Sequence, residues 1–233
     1  MKSIIFILLS SSSLSLMHLI LVGHNQFSHL SVDEWREYVG LYKGIYAGHS
    51  GRSSRTHAIH SNASEIIPSS IDWTEKGAVT PVKDQGQCGS CWSFSTTGAL
   101  EGAYQIKYNV LKSFSEQNLI DCDNFRSGGN DLACHGGMID SAFEWCRKND
   151  GLCSGDDYQY ESGITKKRGQ CDQDKYDIDH KVAPKHYSDV EKNSDLALMS
   201  ALSQQPVSVA IEANQQSLQL YKSGTNFIYI YMI

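Results

Sequence analysis

The run Gln85-Gly86-Gln87-Cys88-Gly89-Ser90-Cys91-Trp92 constrains this chain more than any other stretch. It sets a candidate nucleophile, Cys91, six residues after an amide donor, Gln85, and within one turn of a second cysteine, Cys88. After Cys91, Phe94, Ala99, Leu100, Ala103, Tyr104 and Ile106 stand among polar residues at spacings that fit one face of a helix. A helix that begins there puts Cys91 at its N-terminus. Unpaired backbone N–H groups and the helix dipole favour negative charge at that position, which raises the thiolate fraction of a cysteine. The alternative for such a residue is a buried half-cystine or an inert core thiol.

Length and charge narrow the rest. The 233 residues allow one or two domains, and 40% hydrophobic content supports a real core. A net charge of -6 offers no basic patch, so nucleic acid is not an expected partner. The 7 cysteines are an odd number, which in an oxidising compartment leaves at least one thiol free or paired with another chain. The start of the chain points to that compartment: Lys2 precedes the apolar run from Ile4 to Leu9, a serine break, and a second apolar stretch from Leu14 to Val22. Residues 1–22 read as a signal peptide, with an uncleaved apolar anchor as the alternative. Between Gly48 and Ser64 the chain is rich in Ser, Gly, His and Arg and has no acidic residue, the composition of an exposed linker where processing occurs. Asn62-Ala63-Ser64 is a glycosylation sequon within it.

Local signals place further elements. Ser115 followed by Glu116 predicts a capped short helix ending near Cys122. A second helix runs from Met138 with Ala142, Phe143 and Cys146 on one face and stops at Asn149-Asp150-Gly151. A third is expected from Asp195 under a Ser194 cap, followed after Pro206 by an alternating strand from Val207 to Ile211. No metal cluster or phosphate loop is recognisable, so no cofactor is expected.

Cys88 to Trp92 fits the C-G-[SA]-C-[WY] signature of papain-like cysteine proteases. The likeness extends through Ile71-Asp72-Trp73, Ser115-Glu116-Gln117-Asn118-Leu119-Ile120-Asp121-Cys122 and Cys134-His135-Gly136-Gly137, from Ile67 to about Gly224. Gly23-His24-Asn25-Gln26-Phe27-Ser28-His29 resembles the G-x-N-x-F-x-D motif of the family's propeptides, with His29 in place of the aspartate. The resemblance implies an α+β, two-domain papain-like fold with a helical left domain and an incomplete β-barrel right domain. It divides the chain into the segment 1–22, a propeptide remnant and linker over 23–66, and a peptidase domain over 67–233.

The resemblance also implies roles. Cys91 is the nucleophile, and Gln85 with the Cys91 backbone N–H forms the oxyanion hole. Gly136 and Gly137 let a substrate backbone approach, although a plain turn is their alternative, and Met138, Ile139 and Ala210 line an apolar pocket for the residue second from the scissile bond. Family pairing joins Cys88 to Cys134 and Cys122 to Cys171; Cys146 and Cys153 are extra and are expected to close a small loop. Protein or peptide substrates and proteinaceous cysteine-protease inhibitors are the implied partners of a monomer in the secretory pathway, in a lysosome or vacuole or outside the cell.

The family's histidine and asparagine fall about 130–150 residues after the cysteine, here roughly 221–241. Within the chain that window holds Asn226 and no histidine, while His180 and His186 come too early and lack an Asp-His or Asn-His context. A truncated chain is therefore expected, with a catalytically inactive peptide-binding homologue or an incomplete gene product as the other readings. The aromatic, uncharged tail Phe227 to Ile233 is read as a β-prone segment without a strand partner.

Overall fold

The computed structural model describes residues 21–39, 58–60, 67–172, 174, 181–211, 213–223 and 230–232. The apolar segment up to residue 20, most of the linker with its Asn62 sequon, His180 and Asn226 lie outside the described residues. In chain order the elements are β1 (Leu21–Val22), α1 (Val32–Tyr38), β2 (Ala58–His60), α2 (Cys91–Tyr108), α3 (Glu116–Cys122), α4 (Ile139–Lys148), α5 (Ser162–Thr165), β3 (Ser188–Val190), α6 (Asp195–Gln204), β4 (Val209–Ile211), α7 (Gln216–Gln219), β5 (Tyr221–Ser223) and β6 (Ile230–Met232).

The helical half forms around α2, which packs on α3 and α4. Trp92, Leu100, Phe114, Leu119, Ile120, Ala142, Trp145 and Leu152 make one buried cluster there. Both disulfides lie at its edge, Cys88–Cys134 and Cys122–Cys171. The predicted caps form: Ser115 accepts from the Asn118 N–H at 2.9 Å and Ser194 from the Ala197 N–H. The predicted stop after α4 is also present, with Asp150 and Gly151 both at positive φ. Ile106 departs from the expected buried face and is 43% exposed, because the burial of α2 ends near Gly102 and its last turns run past the core.

The second half is α+β with little sheet. Among the described residues its strands form three separate pairs, β1 with β5, β2 with β3 and β4 with β6, and no closed barrel. Val190, Ala197, Leu198, Ala201 and Leu202 form its core between β3 and α6. Trp73 ties the two halves by donating its indole N–H to the Leu202 carbonyl at 2.8 Å. The tail corrects an expectation: Ile230–Met232 pairs antiparallel with Val209–Ile211, so this part of it does have a strand partner, supplied by β4 upstream.

The described part of the N-terminal segment, read as a propeptide remnant, is bonded to distant residues. Asn25 donates its side-chain amide to the Gln219 carbonyl, and the Gln219 amide donates to the carbonyls of Phe27 and Leu30. Trp35 donates its indole N–H to the Ala213 carbonyl at 2.9 Å, and its ring lies in a cluster with Val39 and Ala213. Helix α1 is thereby fastened to the β side of the molecule.

Candidate active site

Cys91 is the first residue of α2, partly exposed and outside any disulfide. The N-cap residue Ser90 makes no side-chain cap bond, and its carbonyl accepts the Ser93 N–H at 2.9 Å, which closes the first turn beside the thiol. Such a terminus favours a thiolate over a thiol.

The approach to Cys91 is held on several sides. Gln85 is buried, 1% exposed, and donates its side-chain amide to the Cys88 carbonyl at 2.7 Å. Cys88 is bonded to Cys134, and the Gly89 N–H donates to the Cys134 carbonyl at 2.9 Å. The Gln85–Trp92 stretch and the Cys134–Met138 stretch are thus brought together, with the Trp92 indole N–H donating to the Ala133 carbonyl at 3.0 Å. On the other side, the Ser208 hydroxyl donates to the Ser95 carbonyl of α2 at 2.8 Å, which fixes the entry to β4 and Ala210.

The glycines have distinct reasons. Gly136 stands at φ 109, a conformation that L side chains rarely adopt. Gly137 lies against Trp92: a Cβ there would come within 2.5 Å of the indole ring and 2.7 Å of Asp131 Oδ1. Trp92 is only 2% exposed and has no room to move. Gly137→Ala is expected to destabilise the fold by about 1–3 kcal/mol through overpacking, read from urea unfolding followed by tryptophan fluorescence. A shift smaller than about 0.5 kcal/mol would show the contact to be yielding.

Ile139, read with Met138 as pocket lining, is 5% exposed and packs with Ala142 and Trp145, while Met138 is partly exposed. One expectation is corrected. Cys146 and Cys153 form no disulfide and are both buried thiols. They face different neighbours. The Cys146 thiol is pushed well above its usual pKa by burial and then by the nearby Asp123. The Cys153 sulfur lies 3.5 Å from the Asn118 side-chain oxygen, and burial pushes it up to about 11.

Beneath the Cys134–Met138 stretch lies a pair of buried acids that sequence reading missed. Asp123 is 0% and Asp131 4% exposed. One Asp131 oxygen accepts the Met138 N–H at 2.7 Å; the Asn130 N–H lies beside the Asp123 carboxyl, but no donor in good geometry reaches either Asp123 oxygen or the other Asp131 oxygen. The two carboxyl groups are nevertheless within hydrogen-bonding reach of each other. Two buried carboxyl groups this close disfavour double ionisation, and a single proton held between them is the state tested below. Burial first, and then the charge of Asp131, pushes Asp123 up to about 9. Arg168 lies alongside, with its guanidinium donating to the carbonyls of Ile120 and Asp131 at 3.0 and 2.9 Å.

A cavity of about 290 Å³ opens beside the Cys88–Cys134 disulfide, bounded by Gln87, Gly89, His135 and Lys166 and on its outer side by Leu30, Glu34 and Tyr38 of the N-terminal segment. Among the described residues no three His, Cys, Asp or Glu side chains gather as metal ligands.

A helix-initiating cysteine outside any disulfide thus stands behind a buried glutamine, next to a Cys88–Cys134 bridge that ties its approach to a Gly-Gly turn. Residues 67–231 match the papain family of cysteine proteases, and the chain belongs to that family. It is similar to the KDEL-tailed cysteine endopeptidase CEP2 of Arabidopsis thaliana, with 42% identity over 204 residues, 86% of this chain and 54% of that relative. The cysteine endopeptidase RepA of Oryza sativa subsp. japonica is 38% identical over 205 residues, 86% of this chain and 52% of its own. The chain therefore spans about half the length of these curated relatives. Among solved structures, the proform of the ragweed pollen allergen Amb a 11 has a TM-score of 0.75 at 32% identity, covering 89% of this chain and 60% of that one. The digestive procathepsin L 3 of Tenebrio molitor has a TM-score of 0.71 at 35% identity, covering 89% and 62%.

Proposed function

We propose that this chain is a cysteine endopeptidase precursor of the secretory pathway, acting on protein or peptide substrates through Cys91. The observation that carries this reading is the position of Cys91, an unbridged and partly exposed thiol at the N-terminus of an 18-residue helix. In the reaction the Cys91 sulfur adds to the scissile carbonyl carbon, and the carbonyl π electrons move to its oxygen. The Gln85 side-chain amide and the Cys91 backbone N–H stabilise that oxyanion, a contribution of roughly 3 kcal/mol per donor. Backbone at Gly136 and Gly137 pairs with the substrate, and Met138, Ile139 and Ala210 favour an apolar side chain at the second position. The family assigns protonation of the leaving amine to a histidine, and none of the described histidines is given that role.

The same reading divides the chain into a signal segment over 1–22, a prosegment and linker over 23–66 and a peptidase domain over 67–233. Its support at the N-terminus is the set of bonds from Asn25, Phe27 and Trp35 to the β side. A KDEL-tailed relative and the apolar start support the secretory route.

The test is labelling with an irreversible peptidyl epoxide carrying leucine at its second position. Cys91 is expected to take up one equivalent roughly 100-fold faster than a cysteine in an unstructured peptide, and Cys91→Ser to take up none, with buried Cys146 and Cys153 as internal controls. Labelling no faster than that of the free peptide would overturn the reading and favour a peptide-binding homologue without catalysis.

A further inference from the structure

We propose that Tyr160 is a positioning residue for the oxyanion side of the site, clamping the Gln85 backbone to the start of helix α2. This inference rests on the reading of Gln85 as an oxyanion donor. It starts from a hydroxyl with two partners: the Tyr160 oxygen is 2.6 Å from the Gln85 carbonyl oxygen and 2.8 Å from the Ser90 hydroxyl. A phenol has one proton, and only donation satisfies a carbonyl, so Tyr160 donates to Gln85 and accepts from Ser90. Gln85 and Ser90 flank the turn that ends at Cys91, so one side chain spans the turn from end to end. Burial pushes the phenol well above its usual pKa, which favours the protonated, donating form.

The surroundings hold that hydroxyl in position. The Tyr160 ring meets Phe94 of α2 edge-on with centroids 4.9 Å apart. Gly163 packs so closely that a Cβ there would lie 2.9 Å from both the Gln85 carbonyl oxygen and the Tyr160 ring. The Gly163 carbonyl in turn accepts the Gln87 N–H at 3.0 Å. Gln117 anchors the clamp from behind, since its side-chain oxygen accepts the N–H groups of Glu161 and Ser162 at 2.9 and 3.0 Å. A segment some 75 residues downstream therefore sets where the Gln85 backbone sits, and through it where the side-chain amide points. An oxyanion donor displaced by 1 Å loses much of its effect, because its bond forms only to charge developing at one place.

The experiment uses the full chain and Tyr160→Phe, which keeps the ring and removes only the hydroxyl. Two reagents separate positioning from general damage. A peptide aldehyde with leucine at the second position accepts the Cys91 sulfur at its carbonyl carbon, and its oxygen takes the negative charge and then a proton, so its affinity depends on the oxyanion donors. Iodoacetamide is attacked by the same sulfur with loss of iodide and forms no oxyanion. Tyr160→Phe is expected to weaken aldehyde binding roughly tenfold and to leave iodoacetamide alkylation of Cys91 within about twofold of the wild-type rate. Amide hydrogen exchange over residues 85–91 is expected to rise while exchange in α4 stays unchanged. Gly163→Ala, which crowds the same contact, is expected to show the same split and serves if Tyr160→Phe folds poorly.

Equal aldehyde affinity with unchanged exchange over 85–91 would overturn the proposal. So would a parallel loss with both reagents, which marks a structural role only. If the wild-type chain adds no aldehyde, the reading of Cys91 as a protease nucleophile fails, and the exchange comparison alone decides the role of Tyr160.

Discussion

Lys83→Met is expected to lower the unfolding free energy by about 3–5 kcal/mol. The Lys83 ammonium lies 2.6 Å from Glu101 Oε1 and 2.6 Å from Glu116 Oε1, and the side chains of those acids are only 1% and 6% exposed. Burial works against the Lys83 charge, but the charges of Glu116 and Glu101 outweigh it, and its pKa is raised. Glu116 is also raised, by burial first, with Lys83 pulling in the other direction. Removing the cation leaves two buried carboxylates facing each other. Hydrogen bonds from Thr80, Thr97 and the Phe114 N–H remain, at 2.6, 2.7 and 2.9 Å, and they do not neutralise charge. Urea unfolding measures the loss. Lys83→Met combined with Glu101→Gln is expected to recover part of it, because one uncompensated charge is then gone. A single-variant loss below about 1 kcal/mol would mean that water reaches the cluster and screens it. The triad joins the stretch just before Gln85 to α2 and α3, so this stability serves the site as well.

Stability is expected to fall as pH rises because of the Asp123–Asp131 pair. Asp123 is pushed up to about 9 in the folded chain, against an ordinary value of 3.8. Between those values the folded state holds a proton that the unfolded state has lost. The pair's contribution is therefore fully present below the ordinary value and is lost as pH climbs toward 9. One proton corresponds to about 1.4 kcal/mol per pH unit, an upper limit for a pair that relaxes and admits water. The charged groups around the pair are Arg168, which draws both pKa values down, Asp140, which raises Asp131, and the buried Cys146 thiol. Asp123→Asn keeps the shape, removes the shared proton and offers Asp131 an amide donor. Urea unfolding of both proteins from pH 5 to 8.5 checks this. The wild type is expected to lose roughly 1 kcal/mol per pH unit relative to Asp123→Asn, and parallel profiles would sink the shared-proton account. Because Asp131 also accepts the Met138 N–H, loosening should reach the proposed specificity pocket first.

Several features were legible in the sequence because their causes are local. The start of α2 at Cys91, the Ser115 and Ser194 caps and the Asp150-Gly151 stop each depend on residues within about one turn, and propensity and capping act at that range. The octet around Cys91 is likewise contiguous, which is why it could mark the family and a candidate nucleophile before any coordinates. Disulfide pairing was legible only by resemblance. The loop expected between the extra Cys146 and Cys153 rested instead on nearness in sequence, which says nothing about the direction of the two side chains.

What only the tertiary structure decided involves residues far apart in the chain. Ile139 sits beside Met138 in sequence, yet core packing takes one and leaves the other partly exposed. The tail Ile230–Met232 reads as a strand from its residues, but its partner β4 is a matter of register across a loop. Asp123 and Asp131 look like two surface acids until the fold buries both beside each other. Tyr160 carries no motif that ties it to Gln85, and a bond of 2.6 Å across a separation of 75 residues creates that link. Local conformation is set by short-range sterics and capping, whereas burial, pairing and proton sharing depend on which distant segments the core brings into contact, and one chain read in order does not contain that information.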